Sequence, residues 1–183
     1  MSRASLVAGL AIVLSLVAAP SHASDGFRVS SPSFVAGKPI PATKFVFDRF
    51  GCGGANISPG LSWSGAPEGA RSYAVTLFDP DARGGKGWWH WLVFDIPPTR
   101  TSLAEGGLVP KGAMEGTSDF GVPGYQGPCP PKGSGAHHYV FTVYALDVET
   151  LALGPNVKGA PALEVLRRHS LGAATVQFLY GRP

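Results

Sequence analysis

Apolar and polar residues alternate through long stretches of this chain, the period-two signature of half-buried strands. Residues 72–78 alternate in this way and stop at Asp79-Pro80-Asp81, and residues 91–96 do so until Pro97-Pro98. Residues 139–146 form the longest such run, with aromatic side chains on both faces. A strand apolar on both faces is expected near the middle of a sheet, packed on each side. Shorter strands are predicted at 45–47, 61–63 and 173–180. A helical pattern occurs once, at 162–169: Pro161 suits a first turn, Glu164 comes early, and Arg167 and Arg168 come late, where they complement the helix dipole. Gly172 is the expected stop. The pattern predicts a mainly β domain of two packed sheets with one or two short helices. No repeat or long linker divides it.

The first residues break this pattern. Arg3 precedes an uncharged run rich in Ala, Val and Leu over residues 6–19, and Ser21-His22-Ala23 sets small residues at the positions a signal peptidase reads. Residues 1–23 are expected to be a cleaved signal peptide and residues 24–183 the mature domain. The apolar run is shorter than the about 20 residues a membrane-spanning helix needs, so no transmembrane segment is expected in the mature chain. With no cysteine at the cleavage site, a lipid anchor is not expected either. The destination is the periplasm or the exterior.

Composition narrows the class further. A formal net charge of +3 with scattered basic residues lacks the stripe of a nucleic-acid binder. A hydrophobic fraction of 44% excludes disorder, while 25 Gly and 17 Pro call for many turns and shaped loops. Cys52 and Cys129 would meet an oxidising compartment, where a pair is expected to form a disulfide. Two buried thiols are the alternative.

Three stretches carry more chemistry than turns require. They are Asp79-Pro80-Asp81 at a strand end, the imidazole of His90 set among Trp88, Trp89 and Trp91, and a Gly/Pro-framed loop from Gly124 that delivers His137 and His138 to the longest strand. A carboxylate beside a histidine fixes its tautomer and favours its charged form. Two imidazoles on one cavity could then donate to an anion, with Gly permitting close backbone approach and Pro stiffening the rim. Each piece also has an ordinary reading: Asp-Pro-Asp as a turn, His90 as a core histidine. Strand alternation puts His138 on the face opposite His137 and Tyr139, which selects His137 for the cavity.

Taken in order, Asp79-Pro-Asp-Ala, His90-Trp91, and Gly127-Pro-Cys-Pro-Pro-Lys-Gly with His137 and Tyr139 downstream resemble the phosphatidylethanolamine-binding protein family, in its bacterial branch. Gly51-Cys52-Gly-Gly-Ala-Asn56-Ile-Ser58-Pro59 with Leu61-Ser-Trp63 resembles that branch's early segment. The likeness runs from about Phe27 to Tyr180. It implies a β-sandwich with a small cavity at one end that takes phosphate-like or carboxylate anions, the phosphoethanolamine head group among them. Carried over by motif, the lining would be Asp79, His90, Pro130, Pro131, His137 and Tyr139, with Asp81 and Trp88 close by. The chain departs from the pattern at Arg83, where the family often has proline, and at His138, where arginine commonly follows the pocket histidine. The C-terminal extension of animal relatives is also expected to be missing.

The leading expectation is a non-catalytic binding protein without a cofactor, in which His90 and His137 donate to the anion and Asp79 orients an imidazole. The alternative is an inhibitor or modulator of a protein partner such as a protease, acting through loops at 118–127. An enzyme finds less support. No Gly-x-Ser-x-Gly elbow or phosphate loop occurs, and Ser134, three residues before His137, is by sequence no evidence of a triad. A metal site built from His90, His137 and Asp79 matches no ligand spacing.

Overall fold

The computed structural model describes residues 26–183, so the expected signal peptide lies outside the described residues. The elements follow as β1 (Arg28–Ser30), α1 (Ala42–Phe45), β2 (Leu61–Ser64), β3 (Ser72–Asp79), α2 (Ala82–Gly85), β4 (Trp88–Ile96), β5 (Ser102–Leu103), β6 (Met114–Glu115), β7 (Ala136–Leu146), α3 (Gly159–His169) and β8 (Ser170–Gly181). They build two antiparallel sheets, one of three strands in the order β1-β2-β5 and one of five in the order β6-β4-β3-β7-β8.

Strand alternation divides the apolar residues between two cores. Tyr73, Val75 and Leu77 of β3, with Trp91 and Val93 of β4 and Tyr139, Phe141 and Val143 of β7, join Leu61, Trp63 and Leu103 of the smaller sheet in the main core. Ala74, Leu92, Phe94 and Leu146 belong to a second core with Ala162 and Leu166 of α3. Each fully buried side chain of this size stabilises the fold by roughly 1.5–3 kcal/mol. The centre of the large sheet is β3, buried on both faces along most of its length. The longest run, β7, lies one place outward between β3 and β8, and its His138 end is exposed on one face.

Several expectations need correction. Residues 45–47 form no strand: Pro41 accepts from the Phe45 N–H to start the single turn α1, and Val46 and Phe47 then run extended between two loops. Phe47 donates to the Pro128 carbonyl, while Val46 and Phe47 carbonyls accept from Asn56 and Gly54. Gly127 permits this, since a Cβ there would sit 2.3 Å from the Phe45 carbonyl oxygen. Helix α3 begins three residues earlier than expected, which leaves Glu164 beyond its first turn. Gly172 is no stop, because β8 starts at Ser170 directly after the helix and Gly172 pairs with Ala145 within it. The free edge of β8 is covered by residues 37–40, whose backbone exchanges hydrogen bonds with Gln177 and Leu179.

Candidate functional site

Antiparallel pairing brings the end of β3 and the starts of β4 and β7 to one end of the large sheet, with Asp79 opposite Trp88 and Phe78 opposite Val140. Between the pairs Leu77–Trp91 and Phe78–Trp89 the register slips, and His90 is the extra residue. A bulge of this kind re-aims a side chain. Trp91 belongs to the main core and Trp89 packs on Phe78 and against Gly159 on the helix side, while His90 turns to Tyr139, with ring centroids 5.2 Å apart.

The result is a cavity of about 460 Å³. All eight residues expected in the pocket, from Asp79 to Tyr139, line it, joined by Arg83, Phe120, Cys129 and Ser134, which the sequence reading had not placed there. Cys52 and Cys129 are linked, which ties the segment after Phe47 to the cavity wall. Asn56 clasps the loop that carries this wall: it donates to the Tyr125 carbonyl at 3.1 Å and accepts from the Gly127 N–H at 2.7 Å.

His137 and His90 have different roles. Asp79 is buried and its Oδ1 accepts the N–H groups of Asp81 and Ala82, leaving Oδ2 for His137 Nδ1 at 2.7 Å. Asp79 thus orients His137. His90 Nδ1 lies 2.6 Å from the Gln126 carbonyl and must carry the proton to donate to it. Burial lowers the His90 pKa to about 4 against the opposing pull of that carbonyl. At neutral pH the ring nitrogen left for the cavity is Nε2 with a lone pair, so His90 accepts. Without a ligand, His90 thus presents an acceptor to the cavity where the sequence predicts a donor.

The donors are elsewhere. Tyr139 is fully buried and its hydroxyl interacts with the Asp79 carboxylate; burial first and that carboxylate second raise its pKa, so the proton stays on. Trp88 Nε1 is buried without a partner. Arg83 sits 5.6 Å over the Trp88 ring and brings a positive charge to the cavity. Its φ of 54° lies in the left-handed region, which proline's ring forbids, so the turn after Asp81 differs in shape from that of a Pro-bearing relative. His138 is exposed on the other face and pairs with Asp81 at 2.9 Å; its backbone N–H donates to the same carboxylate and is the main cause of a lowered Asp81 pKa.

The 118–127 segment offers less surface than expected. Ser118 and residues 125–127 are buried and only 121–123 are exposed. Among the described residues no cluster of His, Cys, Asp and Glu is arranged to hold a metal ion, and no helix is long and apolar enough to cross a membrane.

Comparison with known proteins places the chain. The family model described as phosphatidylethanolamine-binding protein matches residues 30–181. The UPF0098 protein YbcL of Escherichia coli is 43% identical over 166 residues, which cover 87% of this chain and 90% of that one. A UPF0098 protein of Methanothermobacter thermautotrophicus is 46% identical over 138 residues, 73% of this chain and 89% of that one. The crystal structure of E. coli YbcL, described as a new member of the mammalian PEBP family, superposes with a TM-score of 0.82 at 42% identity, over 86% of this chain and 99% of that one. A Chlamydia trachomatis homologue superposes with a TM-score of 0.74 at 34% identity, over 87% of this chain and all of that one.

Proposed function

The chain belongs to the phosphatidylethanolamine-binding protein family, and on that premise we propose that it is an exported protein whose pocket holds a small phosphoryl or carboxylate anion, the phosphoethanolamine head group included. The observation that carries this reading is the cavity that gathers Trp88, His137 and Tyr139 around one space, with the Trp88 Nε1–H buried and without a partner. A buried donor left unpaired costs about 1–3 kcal/mol, which a ligand oxygen would recover. The Tyr139 hydroxyl, which interacts with the Asp79 carboxylate, offers a second donor, and Arg83 adds charge at the cavity.

The acceptors refine the ligand. His90 Nε2 needs a donor, and the Asp79 and Asp81 carboxylates disfavour a fully ionised guest. A phosphate monoester that keeps one proton, or one that carries an ammonium group, satisfies both kinds of partner. Export is supported by the signal-like residues 1–23 and by the Cys52–Cys129 bond, which an oxidising compartment preserves.

Tyr139→Phe removes only the hydroxyl, and Asp79 keeps its hydrogen bonds to His137, Asp81 and Ala82. Calorimetric titration with O-phosphoethanolamine should show affinity reduced about tenfold, the equivalent of one hydrogen bond to a charged group. Equal affinity in the variant and the parent would remove Tyr139 from the binding site, and an absence of binding to the parent would remove the reading itself.

A further inference from the structure

The hydrogen bonds around His137 extend further than anion binding requires. Asp79 Oδ2 accepts from His137 Nδ1, and Ser134 Oγ lies 3.1 Å from Nε2, the other nitrogen of the same ring. Hydroxyl, imidazole and buried carboxylate are therefore joined in the order and through the atoms that activate a serine nucleophile. Ser134 sits between Gly133 and Gly135, whose φ values of 73° and 87° make a tight left-handed turn that presents the exposed hydroxyl at the cavity rim. Its Oγ also reaches the Pro131 carbonyl at 2.8 Å, so its one proton turns between that carbonyl and Nε2 by rotation about Cβ–Oγ. Across the same cavity stand two donors, Trp88 Nε1, which has no partner, and Tyr139 Oη, which interacts with Asp79. Donors already in place and shielded from water are what a developing oxyanion needs.

We propose that Ser134 is a nucleophile toward small carboxylic esters, with His137 as its base, Asp79 as the residue that orients the base, and Tyr139 as donor to the oxyanion. Ser134 passes its proton to His137 Nε2 as Oγ bonds to the acyl carbon. The tetrahedral oxyanion takes the Tyr139 hydrogen bond. It collapses with cleavage of the ester C–O bond, and the departing alkoxide takes the proton from Nε2. Water then gives a proton to Nε2 while its oxygen attacks the acyl-serine. Release of the carboxylic acid returns a proton to Ser134. The cavity's mostly apolar wall of Phe120, Pro130 and Pro131 suits a short acyl group.

The test uses the full oxidised chain with a fluorophosphonate probe and with 4-nitrophenyl acetate. The expected result is one adduct, mapped to Ser134 by peptide mass spectrometry, and nitrophenol release at least tenfold faster than by Ser134→Ala. That variant changes an exposed turn residue, and its amide NMR spectrum verifies the fold. No adduct, an adduct elsewhere, or hydrolysis by Ser134→Ala at the parent rate overturns the proposal. Inorganic phosphate titrated into the same samples separates the two readings. Binding without labelling defeats the nucleophile alone, and labelling without binding defeats the anion pocket alone.

Discussion

Replacing Cys52 and Cys129 together with serine should lower the unfolding free energy by up to about 4 kcal/mol. The bond spans 77 residues of sequence, and cutting it restores to the unfolded chain the freedom of a long loop. The folded rim has a second tie, since the Arg182 guanidinium donates to the Gly51 carbonyl at 3.2 Å and to the Pro130 carbonyl at 3.3 Å. The loss therefore falls mainly on the unfolded state, and the native cavity should keep its shape. Urea unfolding of the oxidised parent and the double variant measures this. A midpoint that barely moves would mean that the unfolded chain is already compact between these residues. A large loss of ligand affinity in the folded variant would mean that Arg182 does not hold the rim.

Acidification should cost a further about 3 kcal/mol through His90 alone. Above about pH 6.5 the imidazole is neutral in the folded and unfolded chains alike, and it contributes no slope. Between there and about 4, the unfolded chain takes up a proton that the buried ring resists, so stability falls as the pH falls. Below about 4 the folded state is protonated too, and the loss levels off. His90→Gln lacks the titration, so the difference in unfolding free energy between parent and variant should shrink by about 3 kcal/mol from pH 7 to pH 4. Carboxylates that titrate in both proteins, such as Asp95 with a pKa raised by burial, drop out of that difference. A pH-independent difference would show that His90 is charged inside the fold, and would return it to the role of anion donor.

What could be read from the sequence follows from the range of each interaction. β3, β4 and β7 have period-two patterns because alternate residues face two different cores on opposite sides of the sheet, and their chemistry-bearing ends are visible as motifs. The opposite facing of His137 and His138 follows from alternation alone, and the structure places them so. The role of His90 was not legible. It depends on a one-residue slip against β3 and on a carbonyl 36 residues away, and neither leaves a mark in local composition. Residues 45–47 differ from the strand expected there because an apolar triplet looks the same in a strand and in a segment held by glycine loops. The three-residue spacing from Ser134 to His137 does not by itself signal a triad. Only Gly133 and Gly135 signalled a tight turn able to fold its hydroxyl back onto His137, and that signal is common in any loop.

The central claim is that Tyr139, His137 and the cavity around them bind a small phosphoryl anion. Its most direct test is an amide-resolved NMR titration of the oxidised domain with phosphate and with O-phosphoethanolamine, near pH 6 and near pH 8. The account predicts saturable shifts at His90, His137, Tyr139 and Gly127 together, larger at the lower pH, where phosphate keeps a proton for His90 Nε2. Shifts absent from these residues at both pH values, or scattered over the surface without saturation, would contradict it.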